Sequence, residues 1–206
     1  MQVKKNYIRK KILEEAKKLF LKKGFSKTSL RAIAEKSETS LSNLYNYFTS
    51  KDELFAEILN PVVEMTDFFM ETISNISLPE SMIIQKFEKE RENIEKFIFL
   101  LVKNREMLRL LVKGSSGSRF ENYRLRILDG YKKAWKNYLF LLKNRTGIVI
   151  SDFTINNVCL FHINAVEDAL KKDLSVENMR IYAEDILYFT YFGFESLVNY
   201  HKGKKS

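Results

Sequence analysis

The chain of 206 residues is long enough for one large domain or for a small and a medium one. Its apolar fraction of 45% beside 30% charged residues is ordinary for a globular protein, and only two prolines and seven glycines favour an all-helical chain. The single cysteine, Cys159, excludes an intramolecular disulfide, and no apolar run approaches the roughly 20 residues of a membrane span, so we expect a cytoplasmic protein that does not enter the membrane.

The net charge of +9 is concentrated at the amino-terminal end. Residues 1–51 carry 13 Lys and Arg against 4 Asp and Glu, a charge of +9, whereas residues 52–206 carry 22 of each sign, a charge of zero. This asymmetry favours an anionic partner at that end, and the phosphate backbone of a nucleic acid is the natural one. The alternative is that the lysines only keep a small domain soluble.

The first predicted helix covers residues 7–23 and ends at Gly24, which is a typical C-cap residue. Its apolar residues recur at helical spacing along one face: Ile8, Ile12, Ala16, Leu19 and Phe20. The preceding residues 1–7 form a basic arm. Lys4 and Lys5 in that arm either reach DNA or belong to a frayed terminus.

Two short helices joined by a tight turn come next. Thr28 or Ser29 can cap the first of them, and Ser40 can cap the second. In the second helix Leu44 and Phe48 face inward at positions i and i+4, while its other face is polar and aromatic. This arrangement predicts a helix-turn-helix, whose second helix has the width to enter the major groove of DNA.

Further helices are predicted in the neutral remainder of the chain. A helix capped by Ser50 begins at Asp52 and contains Pro61, which should kink it, either statically or as part of a switch. A loop at 75–79 follows, and the other predicted helices cover residues 80–102, 106–112 and 119–145, a segment capped by Ser151 or Asp152, and a segment capped by Ser175. Residues 114–118 are predicted to be a flexible connection, and the basic residues 201–205 a frayed tail.

The amino-terminal quarter of the chain resembles the DNA-binding domain of the TetR family of bacterial transcriptional regulators. The matching residues are the opening helix from Ile8 to Gly24-Phe25, then Thr28-Ser-Leu-Arg-Ala-Ile-Ala34, then Leu44-Tyr-Asn-Tyr-Phe-Thr-Ser-Lys-Asp-Glu-Leu54. Glu38 stands where the family usually has a turn glycine, and Thr39 where a small apolar residue is usual. We expect Glu38 to point away from phosphate.

The resemblance implies an all-α fold with two domains. Residues 1–51 would be a three-helix helix-turn-helix DNA-binding domain, and residues 52–206 a helical effector-binding and dimerisation domain. The family acts as dimers, and a dimer would place two recognition helices about one turn of DNA apart, so the double-stranded DNA operator should be nearly palindromic.

By resemblance, the recognition helix runs from about Ser40 to Tyr47. The predicted DNA-binding residues are Thr28, Ser29, Arg31, Ser40, Leu41, Ser42, Asn43, Tyr45, Tyr47 and Lys51. Ser42 and Asn43 are short and polar and suit contacts to base edges or nearby phosphates. Leu41 is ambiguous, because periodicity alone would bury it whereas the family alignment places it against a thymine methyl group.

The other predicted contacts are to phosphates or to a base. Tyr45 and Tyr47 would bind phosphate through their hydroxyl groups, although Tyr47 would otherwise serve packing. The hydroxyl groups and backbone N–H groups of Thr28 and Ser29 would also reach phosphate. Arg31 would reach a base, and Lys51 would bind phosphate as a point charge.

The family also implies a small-molecule effector, of unknown identity, that lowers DNA affinity. The residues predicted to line its pocket are Phe97, Leu101, Tyr131, Trp135 and Tyr138. The alternative is that these residues are plain core. The effector could be acidic, basic or apolar, because no charged residue of the pocket can be picked out from the sequence.

The last two predicted helices are apolar on more than one face, and a monomer would leave part of that apolar surface exposed to solvent. Two such helices from each subunit could form a four-helix bundle, with Gly193 allowing close approach. The predicted dimer-interface residues are Val158, His162, Ala165, Ile186, Phe189, Gly193, Phe194 and Leu197. The alternative is a wholly internal core.

These predictions together indicate a ligand-responsive, sequence-specific transcriptional regulator, most simply a repressor. We expect no enzyme, because the sequence has no nucleophile elbow, no paired acid motif and no metal-ligand cluster. His162 and His201 lie far apart, so neither a metal nor a cofactor is expected. The alternative function is a sequence-independent DNA-coating protein without effector control.

Overall fold

The computed structural model describes residues 2–74 and 95–204 of the chain. The helices are α1 Gln2–Lys23, α2 Leu30–Lys36, α3 Leu41–Tyr45, α4 Lys51–Ser74, α5 over residues 95–103, α6 Arg105–Lys113, α7 Tyr123–Thr146, α8 Asp152–Lys171 and α9 Val176–Gly203. No strand occurs within these described ranges. The predicted all-α fold is confirmed.

Serine hydroxyl groups cap the helices at the predicted places. Each accepts a hydrogen bond from a backbone N–H group in the first turn, which would otherwise lack a partner. The capping residues are Ser29, Ser40, Ser50, Ser151 and Ser175. Gly24 and Gly147 follow the ends of α1 and α7 with φ angles of +75° and +68°, the left-handed conformation that glycine adopts at low cost.

Three helix boundaries differ from the prediction by more than two residues. Helix α1 begins at Gln2 rather than at residue 7, because the polar residues before the apolar stripe continue the helix without a cap. Helix α7 begins at Tyr123 rather than at residue 119, because the Ser118 hydroxyl accepts a hydrogen bond from the Phe120 N–H group and holds a turn there. Helix α9 continues to Gly203, through residues predicted to be frayed. The predicted loop at 75–79 and the helix start at residue 80 lie outside the described residues.

The chain divides into two compact units, each built from two stretches of sequence. The first contains residues 1–66 and 106–124, and the second contains residues 67–105 and 125–206. Helix α4 runs unbroken past Pro61, and the proposed kink there stays a prediction. The division into functional domains at residue 51 also stays a prediction.

Aromatic residues fill the centre of the first unit. The ring of Phe55 lies 4.7 Å from that of Phe20 and 4.9 Å from that of Phe25, centroid to centroid. Phe120, which comes from the second stretch of this unit, lies 6.3 Å from Phe55. Other side chains buried in this unit are Ile12, Ala16, Ile33, Ala34, Leu44, Phe48, Leu54 and Leu59. The apolar stripe predicted for α1 is therefore confirmed at its central residues.

Residues 114–118 form a packed turn instead of the predicted flexible connection. The Ser115 side chain is buried, and its hydroxyl group hydrogen-bonds to the carbonyl oxygens of Leu110 and Leu111 at 3.0 and 2.8 Å. The carbonyl oxygen of Gly114 accepts a hydrogen bond of 2.8 Å from the Phe25 N–H group. The sequence of this segment has no apolar periodicity, and the segment was therefore predicted to be flexible. That prediction is wrong, because these hydrogen bonds hold the turn in place.

The second unit has two apolar clusters. The larger one joins α7, α8 and α9 through the buried residues Leu128, Trp135, Leu142, Ile148, Ile150, Ile155, Cys159 and Phe194. The smaller one joins α5 to α8 and α9 through Ile98, Ala169 and Met179. None of the helices in the described part of the chain is long and apolar enough to cross a membrane.

Candidate nucleic-acid interface

Helices α2 and α3 form the predicted helix-turn-helix. Leu44 and Phe48 are 0% and 1% exposed, which confirms that both face inward. Helix α3 ends at Tyr45 and not at Tyr47, so Phe48 lies after the helix and not within it. The turn is held by the Ser37 hydroxyl group, which donates to the Ile33 carbonyl oxygen at 2.7 Å, and by the Thr39 N–H group, which donates to the Ala34 carbonyl oxygen at 2.9 Å. The outer side of α3 is thereby fixed in orientation.

The turn contains a non-glycine residue in the left-handed conformation. Glu38 has a φ angle of +53°, a region that costs residues with a Cβ atom conformational energy. Its carboxylate is exposed and accepts a hydrogen bond from Lys11 of α1, which holds the pKa of Glu38 below its ordinary value. The position therefore has the backbone geometry of the family's turn glycine, and Lys11 partly neutralises the added negative charge.

The outer side of α3 presents short polar groups and one aromatic ring. Ser42 is exposed, and Tyr45 is 50% exposed. The side-chain amide of Asn43 donates to the Thr39 hydroxyl group at 2.7 Å, and its oxygen accepts from the Asn46 side-chain amide at 3.4 Å, so the orientation of Asn43 is fixed within the protein. Leu41 and Tyr47 are half-buried, so the ambiguity over Leu41 is not resolved by its burial.

Ser29 and Arg31 at the start of α2 are exposed at the surface, whereas Thr28, which precedes them, is buried. The Ser29 side chain is exposed, and its hydroxyl group accepts from the Ala32 N–H group at 3.2 Å. Arg31, one turn further, is also exposed. The Thr28 side chain, in contrast, is 3% exposed, and its hydroxyl group donates to the Gly24 carbonyl oxygen at 2.7 Å. The Thr28 hydroxyl group is thus used within the protein.

Lys51 also has a role that the sequence did not indicate. Its Nζ donates to the carbonyl oxygens of Phe25 and Thr28 at 2.8 and 2.9 Å. The inward roles of Lys51 and Thr28 could not be read from the sequence, because main-chain carbonyl groups are present at every position. Only the folded structure shows which carbonyl groups lie close enough to accept a hydrogen bond from a side chain.

The aromatic residues predicted to line an effector pocket fall into separate groups. Tyr131, Trp135 and Tyr138 belong to the larger cluster of the second unit, and the Trp135 ring lies 5.1 Å from that of Phe194. Phe97 instead stacks on Phe69 at 3.5 Å between ring centroids. Leu101 is buried. A hollow of about 240 Å³ lies elsewhere in this unit, and its lining contains none of the five predicted residues: Ala169, Lys172, Leu174, Asn178, Ile181, Tyr182 and Asp185.

A chain of polar groups crosses the larger cluster at His162. The Thr190 hydroxyl group donates to the Ile186 carbonyl oxygen at 2.8 Å, so it accepts from His162 Nε2, which lies 2.7 Å away. His162 Nδ1 therefore carries no proton and accepts a hydrogen bond from the Tyr131 hydroxyl group. Burial lowers the pKa of His162 to about 4. The histidine predicted for the dimer interface is thus a neutral link between α7, α8 and α9.

Helices α8 and α9 leave apolar side chains exposed on the second unit. They include Phe153, Phe161, Val166, Ile181, Tyr188, Phe189, Phe192 and Tyr200. Phe189 is 73% exposed, and a Cβ atom placed on Gly193 would meet no atom within 4 Å. Among the residues predicted for the dimer interface, Ala165 and Phe194 are instead buried within the chain, while Val158, His162, Ile186 and Leu197 are half-buried.

The structure of residues 2–60 is that of a helix-turn-helix DNA-binding domain, with a supporting first helix and a polar outer face on α3. Residues 12–58 match the family model described as "Bacterial regulatory proteins, tetR family". The amino-terminal part of the chain is therefore similar to the DNA-binding domain of TetR-family regulators.

One curated relative matches a segment of the chain. It is the HTH-type transcriptional regulator QacR of Staphylococcus aureus (strain Mu50 / ATCC 700699), which is 47% identical over 53 residues. The matched segment covers 26% of this chain and 28% of the length of QacR. The similarity therefore concerns about a quarter of each chain.

Solved structures resemble the chain over most of its length. A TetR-like transcriptional regulator from Rhodococcus sp. RHA1 has a TM-score of 0.61 at 22% identity, covering 90% of this chain and 96% of its own. A TetR-family regulator from Bordetella parapertussis 12822 has a TM-score of 0.57 at 19% identity, covering 88% and 93%. The transcriptional regulator FadR from Bacillus subtilis in complex with stearoyl-CoA has a TM-score of 0.53 at 13% identity, covering 87% and 95%. At these identities the likeness concerns the fold.

Proposed function

We propose that the protein is a ligand-responsive transcriptional repressor that binds a specific operator through α2 and α3. The observation that carries this proposal is the contrast between the buried Leu44 on the inner side of α3 and the exposed Ser42 and Tyr45 on its outer side. The half-buried amide of Asn43 lies on the same short helix. Hydroxyl and amide groups on such a helix suit contacts to base edges and phosphates in the major groove.

The proposed contact surface contains eight of the predicted residues. They are Ser29, Arg31, Ser40, Leu41, Ser42, Asn43, Tyr45 and Tyr47. We leave out Thr28, because its hydroxyl group is buried and donates to the Gly24 carbonyl oxygen. We also leave out Lys51, because its Nζ donates to the carbonyl oxygens of Phe25 and Thr28. The excess of +9 charges on residues 1–51 supports a polyanionic partner for this part of the chain.

We further propose that the protein acts as a homodimer through the exposed apolar residues of α8 and α9. A dimer explains why Phe189 is 73% exposed, because contact with a second copy would remove that ring from water. The open space around Gly193 would let the partner's helix approach closely. Two copies related by a two-fold axis require an operator with matching near-palindromic symmetry.

The release of DNA by a small molecule is the remaining part of the proposal. Its support is the aromatic character of the second unit, where Tyr131, Trp135 and Tyr138 lie in one cluster. The Bacillus subtilis FadR structure shows that a protein of similar fold is found with stearoyl-CoA. An effector must bind the DNA-incompetent arrangement more tightly in order to release the operator.

The test is binding of the purified protein to a duplex from its own upstream intergenic region, with a shuffled duplex as control, at near-physiological salt. We expect tight binding to the native duplex, weaker binding to the shuffled one, and a loss with Tyr45→Ala but not with Phe140→Ala, which removes an exposed ring from α7. Equal binding to both duplexes would favour a DNA-coating protein and contradict the proposed repressor.

A further inference from the structure

Lys51 is the first residue of α4, but its ammonium group lies where α2 begins. Nζ donates to the carbonyl oxygen of Phe25 at 2.8 Å and to that of Thr28 at 2.9 Å. The same nitrogen lies 4.1 Å from the centroid of the Phe25 ring. Burial lowers the pKa of Lys51 below its ordinary value. Two of the three N–H groups of this ammonium are therefore used by the protein itself.

Phe25, which receives this contact, is held from several directions. Its N–H group donates to the Gly114 carbonyl oxygen at 2.8 Å, and its carbonyl oxygen accepts from the Thr28 N–H group at 3.2 Å. Its ring packs 4.9 Å from that of Phe55 in the aromatic centre of the first unit. The carbonyl group of Phe25 that accepts from Lys51 therefore belongs to a residue whose backbone and ring are both held in place.

The two carbonyl groups belong to the segment that leads into α2. Thr28 directly precedes Ser29, the cap of α2, while Lys51 directly follows Ser50, the cap of α4. Residues 46–50 connect α3 to this same point. The ammonium of Lys51 therefore joins the beginning of the helix-turn-helix to its end.

We propose that Lys51 is a positioning residue of the DNA interface, which fixes the start of α2 against the exit of α3 and is not itself a phosphate ligand. This inference rests on the proposed function, because it concerns how the same surface recognises its operator. It replaces the expectation that Lys51 binds phosphate as a point charge.

The two roles differ in their dependence on salt and sequence. Each lysine that neutralises a phosphate makes the plot of log binding constant against log salt concentration steeper by about 0.9, or by about 1.8 for the two lysines of a dimer. The loss of such a lysine weakens binding to all DNA sequences alike. A positioning lysine leaves that slope unchanged. Its loss weakens the operator complex, which needs the correct geometry of α3, more than the non-specific complex.

The experiment compares Lys51→Met with Lys133→Met, which removes an exposed lysine from α7. Affinities for the native upstream duplex and the shuffled duplex are measured over a series of salt concentrations. For Lys51→Met we expect operator binding to fall about tenfold or more, because two hydrogen bonds to a charged group are lost. We expect the salt slope and the affinity for the shuffled duplex to stay as in the wild type and in Lys133→Met.

A fall of about 1.8 in the salt slope, with equal weakening on both duplexes, would overturn the proposal and restore the phosphate contact. Unchanged operator binding would overturn it as well. A wild-type protein that binds both duplexes equally would instead contradict the proposed function.

A second measurement tests the positioning role without DNA. Hydrogen exchange of the free protein should be faster in Lys51→Met at the amides of Thr28, Ala32 and Ile33, which lie at the start of α2, and unchanged within α1. Unchanged exchange at these amides would overturn the inference. If Lys51→Met fails to fold by circular dichroism, Lys51→Gln takes its place with Lys133→Gln as its control, because the glutamine amide can still donate to one carbonyl group.

Discussion

The carboxylate of Glu38 lies 2.7 Å from the ammonium of Lys11, so the turn of the helix-turn-helix is bonded to α1. The pairing occurs at the position where Glu38 replaces the family's usual glycine and has a φ angle of +53°. The carboxylate is therefore directed to a lysine of its own chain. That it points away from phosphate stays a prediction.

The replacement Glu38→Gly should stabilise the protein. Glycine adopts the left-handed conformation without the steric cost that a Cβ atom brings, and this gain exceeds the entropy that glycine adds to the unfolded chain. We expect the melting temperature to rise by about 2 °C. Thermal unfolding followed by circular dichroism would measure the change.

Glu38→Ala is the matched control for that replacement. It removes the same carboxylate and the same contact with Lys11 but retains a Cβ atom at positive φ. Its melting temperature should not exceed that of the wild type. An equal rise in both variants would show that the gain comes from removing the charge and not from the backbone.

The buried imidazole of His162 should make the second unit sensitive to mild acid. Its pKa falls from the ordinary value of 6.5 to about 4 on folding, so the unfolded chain binds a proton first as the pH decreases. The contribution of neutral His162 is fully present above about pH 6.5 and is lost as the pH falls toward 4, by at most roughly 1.4 kcal/mol per pH unit.

The measurement is the free energy of unfolding in urea at pH 7.5 and pH 5, for the wild type and for His162→Gln. Carboxylates also contribute to acid sensitivity, so the informative quantity is the difference between the two proteins. We expect the wild type to lose more stability than the variant over this interval. Equal losses would contradict a neutral buried His162.

Tyr131→Phe should destabilise the second unit. The phenol hydroxyl group donates to His162 Nδ1, and its removal would leave a buried acceptor without a partner. Such a loss costs about 1–3 kcal/mol. Urea unfolding would measure it, and the double variant Tyr131→Phe with His162→Gln should cost less than the sum of the two single changes. Full additivity would mean that the two residues do not act together.

Phe189→Asp should convert the proposed dimer into a monomer. A carboxylate at this strongly exposed position would have to be buried without a partner if a second copy packed there. We expect a halved mass in sedimentation equilibrium and a loss of operator binding. Phe140→Asp is the control, because it places the same charge on α7 at a side chain that is 64% exposed. A dimeric Phe189→Asp protein would show that this face is not the interface.

Arg31→Ala should relax sequence preference if Arg31 reaches a base. The loss of one good base contact costs roughly 1–3 kcal/mol at the contacted position and leaves other positions unaffected. A comparison of single-base operator variants would locate that position. The control Lys36→Ala removes an exposed lysine from the same helix. Uniform weakening across all operator variants would indicate a phosphate contact for Arg31 instead.

The sequence predicted those features that depend on neighbours along the chain. Apolar spacing located the buried side chains of Leu44 and Phe48, and the serine caps located the starts of the helices that they precede. The packed turn at Ser115, in contrast, depends on carbonyl oxygens that every residue possesses, so no residue type marked it in the sequence. The same is true of Lys51, which the family resemblance predicted to bind phosphate as a point charge.

The two separate stretches of the first unit have a consequence for the synthesis of the protein. A nascent chain that has reached residue 66 carries the whole helix-turn-helix, but it lacks Phe120 and the Gly114 carbonyl oxygen, which complete the surroundings of Phe55 and Phe25. The domain can reach its final packing only after residue 124 has left the ribosome. A recombinant fragment of residues 1–66 should therefore aggregate or remain partly folded, while its sequence still contains every proposed DNA contact.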